Sequence, residues 1–213
     1  MRRRIQLLGG SGQLGSALAA LLDEVAAPSH RELDLAVVTK DAVRTLIDDV
    51  QPRALVNCAG YTMVDRAEAE PELASAINGA AVGILAEVAA EANIPFMTFS
   101  TDYVFDGHTN TPYVEASQPS PINVYGATKM LGENLALDHN PSSLVIRTSW
   151  VISGSKRDFI TQILESAAGS KPFEVVDDQH GCPTIAGDLA KVAIQALALG
   201  VSGLLHVTNT GAT

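Results

Sequence analysis

The chain predicts an α/β fold, a doubly wound parallel sheet of the Rossmann type, on three observations. Strand-like and helix-like segments alternate along nearly its whole length, the order that covers a parallel sheet on both faces. The first apolar run, Arg4-Ile5-Gln6-Leu7-Leu8, is followed at once by Gly9-Gly10-Ser11-Gly12-Gln13-Leu14-Gly15, and then by the apolar-striped run Ser16–Leu22. Tyr125 and Lys129 stand four apart in Val124-Tyr125-Gly126-Ala127-Thr128-Lys129. On a helix that spacing puts both on one face, roughly 6 Å apart along the axis.

The elements follow in order. After the first strand and helix comes a weak strand near Glu24–Ala27, then a helix over Thr39–Val50. Ala54–Ala59 reads as a buried strand. Glu70–Asn93 reads as a long alanine-rich helix, with Pro71 tolerated in its first turn. Ile94–Ser100 is a strand, Asp106–Pro121 a polar loop with prolines, and Tyr125–Leu137 a helix. Leu144–Ile146, Glu174–Val176 and Leu204–Val207 read as strands, Phe159–Ala168 and Ile185–Leu199 as helices. Crossovers between parallel strands are right-handed, and ligands of such sheets sit at the carboxyl ends of the strands. The glycine loop, Asn57–Tyr61, Ser100–Tyr103 and Thr148–Trp150 all fall at such ends.

The glycine spacing carries the first chemistry. Glycine permits positive φ and a tight turn, lets backbone approach a pyrophosphate, and lets helix pack on strand. The helix N-terminus then offers free N–H groups to an anion. A bare glycine triplet would be a flexible turn, but here strand, loop and helix come in the order that dinucleotide binding requires. The Tyr125/Lys129 pair carries the second. A free phenol has a pKa of about 10, and a neighbouring cation is expected to bring it down toward working range. Taken alone, the pair reads first as two residues on a surface helix, since the spacing recurs by chance on many helices.

Composition sets bounds. With 213 residues and 46% hydrophobic content, the chain suits one domain with a substantial core. The net charge of −10 argues against a nucleic-acid surface. No apolar run reaches spanning length without polar interruption, so no membrane association is expected. The basic start Met1–Arg4 precedes an apolar run too short for a signal peptide. Cys58 and Cys182 read as reduced thiols of a cytoplasmic protein. No Cys/His cluster has metal-ligand spacing, and Asp65, Glu68 and Glu70 read as a solvated acidic face. A homodimer is a compatible assembly.

The G-x-x-G-x-x-G form, with a Tyr/Lys pair preceded by Thr101, resembles the extended short-chain dehydrogenase/reductase superfamily. More specific segments resemble the dTDP-4-dehydrorhamnose reductase family. They are Asn57-Cys58-Ala59-Gly60-Tyr61-Thr62-Met63-Val64-Asp65, Ser100-Thr101-Asp102-Tyr103-Val104-Phe105-Asp106-Gly107, Arg147-Thr148-Ser149-Trp150-Val151 and Val175-Val176-Asp177-Asp178-Gln179-His180-Gly181-Cys182-Pro183-Thr184. The resemblance implies NADPH- or NADH-dependent reduction of the 4-keto group of a dTDP-linked 6-deoxy sugar. It implies Tyr125 as proton donor, Lys129 as the cation that lowers the tyrosine pKa and holds the nicotinamide ribose, and Thr101 as hydrogen-bond partner of the carbonyl.

The same resemblance implies cofactor contacts at Gly9, Gly12, Gln13, Leu14, Gly15, Ala59 and Tyr61, with Asp34 and Leu35 on the adenine side. Asp34 also reads as an acid opening a helix after a turn. His30 and Arg31 follow the weak second strand, where a cation suits a 2′-phosphate and inclines the cofactor toward NADPH; Glu32 opposes this. Substrate contacts are implied at Thr62, Val64, Asp102, Tyr103, Trp150, Gln179 and Thr184, with Gly181 beside them. Trp150 reads otherwise as core, and Thr184 as a helix cap.

Two departures from the family pattern stand out. Leu8 occupies a position where many relatives have threonine. The chain stops at Asn209–Thr213, where the family continues. Residues 1–213 are therefore expected to form one dinucleotide-binding domain with a small, incomplete substrate-binding lobe near 150–185. Another nucleotide-sugar reductase or epimerase remains an alternative, as does a non-catalytic dinucleotide-binding regulatory subunit.

Overall fold

The computed structural model describes residues 4–154, 159–169 and 178–211. Strand β1 (Ile5–Leu8) is buried at every position and leads into helix α1 (Gln13–Leu21). The short strand β2 (Val25–Ala26) follows. Helix α2 (Lys40–Val50) begins at Thr39, whose hydroxyl accepts from the Ala42 N–H and so satisfies one of the free donors of the first turn. Strand β3 (Ala54–Asn57) precedes two short helices, α3 (Val64–Ala67) and α4 (Pro71–Ser75). A π-helical turn (Ala76–Ala80) joins α4 to α5 (Ala81–Glu91). Strand β4 (Phe96–Thr101) and a 3-10 turn lead toward α6 (Val124–His139), then β5 (Leu144–Thr148) and β6 (Val151–Ile152). Helix α7 (Phe159–Ala167), β7 (Thr184–Ile185), α8 (Ala186–Ala198) and β8 (Gly203–His206) complete the order.

Six strands form one sheet in the order β2-β1-β3-β4-β5-β8, and every neighbouring pair is parallel. Because successive strand residues point to opposite faces, both faces must be covered. Leu55 and Val145 pack with Val43, Leu85, Val88 and Phe96 beneath α2, α5 and α6. Val56, Met97 and Ile146 pack with Leu14, Leu18, Leu189 and Ala193 beneath α1 and α8. Each large aliphatic side chain buried this way contributes about 1.5–3 kcal/mol. The doubly wound expectation is met. The chain reverses its direction of travel across the sheet between β1 and β3, and the crevice of a doubly wound sheet opens at such a switch.

Helix Pro71–Glu91 is long and apolar enough by composition to cross a membrane, with polar interruptions at Glu72, Ser75, Asn78 and Glu87; 56% of its most apolar window is buried inside the fold, as in a core helix. One expectation needs correction. Thr184 does not cap α8. It lies in β7, which pairs with β6 in a separate two-stranded parallel sheet, and the backbone N–H of Ile185 is instead satisfied by the Asn209 side chain at 2.7 Å. The strand expected at Glu174–Val176 lies outside the described residues.

Candidate active site at the carboxyl edge of the sheet

The glycine loop divides its labour. Gly9 has φ +72°, and a Cβ there would lie 2.6 Å from the Ala59 nitrogen; one on Gly15 would lie 2.1 Å from the Gly9 carbonyl. Both glycines are demanded by the close approach of β1, the β3 loop and α1. Gly12 is different. It donates its N–H to the Gly9 carbonyl at 2.9 Å, and a Cβ there would meet nothing closer than 3.3 Å. It stands at the N-cap of α1, with no capping side chain and no acid in the first turn. The positive end of α1 is left for an anion from outside, which fits a dinucleotide pyrophosphate. Gln13 opens the helix with its side-chain oxygen buried and unpartnered. Leu14 is core, at 9% exposure, so a ligand contact there falls to its backbone.

The β3 loop is held by two asparagines that sequence reading passed over. The Asn57 carboxamide donates to the Thr98 hydroxyl at 3.3 Å and accepts from the Ala59 N–H at 3.1 Å. Asn78, in the π turn, accepts from the Tyr61 N–H at 2.8 Å and donates to the Tyr61 carbonyl at 2.9 Å and to the Thr128 hydroxyl at 3.2 Å. It thereby ties the loop to α6. A buried amide in the apolar run Ala76-Ile77-Asn78-Gly79-Ala80 was the available signal.

Thr101, Tyr125 and Lys129 are brought together. Asn123 caps α6 by accepting the Gly126 N–H at 2.7 Å, which places Tyr125 in the first turn. A Cβ on Gly126 would fall 2.0 Å from the Tyr103 carbonyl, so α6 starts directly against the end of β4. There the Thr101 hydroxyl acts on the Tyr125 phenol as a polar neighbour. The Tyr103 ring meets the Tyr125 ring edge-on, with centroids 5.6 Å apart. The Lys129 ammonium donates to the Phe99 carbonyl at 2.6 Å.

The electrostatics correct one expectation. Burial pushes the Tyr125 phenol up to about 12; the Thr101 hydroxyl opposes this, and Asp102 and Tyr103 add to it. Lys129 is not among the groups that shift it, and its ammonium is turned to the Phe99 carbonyl. Burial lowers Lys129 to about 8, against the countering charge of Glu133 and the weaker influence of Cys58. The phenol is therefore an O–H at neutral pH, the form a proton donor needs.

On the far side, the Thr101 hydroxyl donates to Asp102 at 3.0 Å, and desolvation holds that carboxyl above its ordinary value. The exposed Gln179 side chain lies near enough to the Tyr103 phenol to counter the effect of burial on it. Trp150 has φ +43°, and its ring lies so close to Gly181 that a Cβ there would fall 2.8 Å from it. Thr184 is 1% exposed and donates its N–H to the Trp150 carbonyl at 3.1 Å. Tyr61 donates its phenol O–H to Glu70 at 2.7 Å; Thr62 is exposed and Val64 half-buried at the start of α3. Glu70 also binds Arg66, so it is a paired acid rather than part of a solvated face.

The adenine-side residues are less assembled. His30 and Arg31 are exposed, and His30 approaches the Asp34 carboxylate at 3.7 Å. Asp34 accepts the Ala36 N–H at 2.9 Å and so shapes a turn, and Leu35 is core at 7% exposure. Both cysteines are free thiols. Among the described residues, no group of three or more His, Cys, Asp or Glu side chains could hold a metal ion.

Fold and edge together define a Rossmann-like α/β protein with a crevice at its switch point. A family model described as the RmlD substrate binding domain matches residues 3–213, and the chain belongs to that family. It is 39% identical to a dTDP-4-dehydrorhamnose reductase of Mycolicibacterium smegmatis, over 99% of this chain and 65% of that protein, so it spans just under two thirds of that relative's length. Against the reductase of Burkholderia thailandensis the identity is 35%, over 99% of this chain and 74% of that protein. Among solved structures, a dTDP-4-dehydrorhamnose reductase from Bacillus anthracis in complex with NADP superposes with a TM-score of 0.93 at 30% identity, covering 100% of this chain and 76% of that one. The Clostridium acetobutylicum reductase gives 0.92 at 31% identity, covering 98% and 75%.

Proposed function

We propose that this chain reduces the 4-keto group of a dTDP-linked 4-dehydro-6-deoxy sugar, giving dTDP-L-rhamnose, with NADPH or NADH as reductant. The observation that carries this reading is the gathering of a neutral phenol, a hydroxyl and a half-buried ammonium at the carboxyl end of β4, against the β3 loop. The relatives named for this reaction, and the one solved with NADP, support it.

The reduced nicotinamide, when bound, supplies the hydride to C4 of the sugar. Reduction at C4 would build negative charge on the carbonyl oxygen. Tyr125 donates to that charge, and Thr101 joins it when its O–H turns from the Asp102 carboxylate. Tyr125 transfers its phenolic proton to the oxygen, and the resulting phenolate regains a proton from solvent. Lys129, one turn further along α6, holds the ribose hydroxyls in this reading, with the protons not spent on Phe99. Gly9, Gly12, Gly15 and the first N–H groups of α1 receive the pyrophosphate, with Gln13, Leu14, Ala59 and Tyr61 along the crevice. His30 and Arg31 supply positive charge for a 2′-phosphate, and Asp34 and Leu35 border the adenine. Asp102, Tyr103, Trp150, Gln179 and Thr184, with Thr62 and Val64 across the opening, form the sugar side. Two free thiols accord with a reducing, cytoplasmic setting.

The test is oxidation of NADPH followed optically with the dTDP-4-keto sugar. Turnover that depends on Tyr125 supports the assignment. Tight cofactor binding with no turnover would replace it with a regulatory binding role.

A further inference from the structure

Behind the site lies a buried pair of opposite charges that the reaction above does not use. Arg147 on β5 meets Glu133 on α6 through two hydrogen bonds, at 2.9 and 2.6 Å, and both side chains are 3% exposed. Glu133 stands one turn beyond Lys129. The two line one interior gap with Asn78, Thr98 and Ser100, whose hydroxyl is buried without a partner. Replacing such a pair by apolar residues is often neutral or stabilising. Packing alone therefore gives no reason to keep two charges here.

We propose that Glu133, clamped by Arg147, is a positioning residue for the reduction: its carboxylate is the counter-charge that keeps Lys129 an ammonium. The inference rests on the function proposed above. The surroundings of Lys129 support it. On its own helix it faces Tyr125 and Glu133. From the β3 loop comes Cys58, from β4 the Phe99 carbonyl, and from the π turn the uncharged Asn78. Asp102 acts on Tyr125, not on Lys129. Arg147 is held on the far side of Glu133, with its guanidinium 5.1 Å from the Phe105 ring centroid, 3.4 Å from the His206 ring nitrogen, and near Glu115. Glu133 is thus the one carboxylate among the groups that act on the Lys129 charge, and it opposes the desolvation that lowers the ammonium.

The experiment measures unfolding free energy against pH in wild type, Lys129→Met, Glu133→Met/Arg147→Met, and the triple variant. Subtracting each Lys129→Met curve from its parent isolates the ammonium. Lys129 gives up its proton at a lower pH folded than unfolded, so the unfolded state binds more protons between the two values. The difference therefore rises in favour of lysine from about pH 8 toward the ordinary value of 10.5. In the pair-neutral background that rise is expected to begin at least one pH unit lower. An onset unchanged near pH 8 overturns the proposal. Where the double variant does not fold, Glu133→Gln is read in the same way. Arg147→Lys, which keeps the carboxylate paired, is expected to retain the wild-type onset. An onset moved as far as in the pair-neutral protein would also overturn the proposal. NADPH binding, followed by its fluorescence, separates the two readings. NADPH affinity unchanged by Lys129→Met would remove Lys129 from the cofactor site and with it the positioning role of Glu133, whereas a shifted onset together with affinity lost in Lys129→Met supports both.

Discussion

Gly126 and Tyr103 touch through backbone alone: the Tyr103 carbonyl occupies the space, 2.0 Å away, where any side chain at 126 would begin. This contact sets how far Tyr125 stands from Thr101. Gly126→Ala is expected to push the start of α6 off β4. It should cost about 1–3 kcal/mol, the usual range for overpacking. Turnover should fall at least tenfold, because small displacements of a catalytic group are costly. Gly187→Ala, in α8 where a Cβ meets nothing within 4 Å, is the control and should leave turnover unchanged and stability equal or up to about 1 kcal/mol higher. Thermal unfolding and steady-state kinetics read the pair.

Removing the Tyr125 hydroxyl removes the proton donor and little else. Tyr125→Phe is expected to lower kcat by about 10²–10⁴ with NADPH affinity within a few-fold, since the group acts mainly in the transition state. Equal rates in the two proteins would end the assignment.

The loop glycines should separate by role. Gly15→Ala drives a Cβ onto the Gly9 carbonyl and is expected to destabilise the fold by several kcal/mol, a backbone clash being harder to relieve than a side-chain one. Gly12→Ala has an ordinary φ of −75°, and its Cβ would press on the Gly9 carbonyl at 3.3 Å, a far milder contact than the 2.1 Å at Gly15. It should fold with nearly wild-type Tm and bind NADPH at least tenfold more weakly, because the methyl group enters the pyrophosphate's approach. Calorimetric unfolding and fluorescence titration distinguish the two.

Alkaline pH tests the enclosure of Tyr125. Its phenol is raised to about 12 from an ordinary value of 10, so between those values the folded state binds more protons than the unfolded one. Its contribution is complete below pH 10 and is lost as pH rises toward 12. Wild-type stability minus that of Tyr125→Phe should therefore decline across this window and be flat from pH 7 to 9.

Thiol chemistry tests the floor of the crevice. Burial raises the Cys58 thiol well above its usual range. In a Cys182→Ser background, Cys58 should resist a thiol-specific reagent at pH 8 and react at once after denaturation.

The sequence revealed what is local. Strand–loop–helix order, the glycine spacing and the four-residue Tyr/Lys interval survive intact because each is decided within a few residues. Long-range pairings were hidden. The assignment of Thr184 as a cap failed because β7 pairs with β6, more than thirty residues earlier in the chain. The direction of the Tyr125 shift failed because spacing reports a neighbour but not its desolvation. Asn78 was missed because its partners Tyr61 and Thr128 are 17 and 50 residues away.

The π turn at Ala76–Ala80 holds one residue more than a regular coil would need. Each helical residue advances about 100°, so deleting one position would swing everything on one side of the turn by that angle. Either Asn78 or the apolar face of α5 would then point the wrong way. Gene variants that shorten this stretch by a single codon should thus be far less tolerated than point changes on its solvent side.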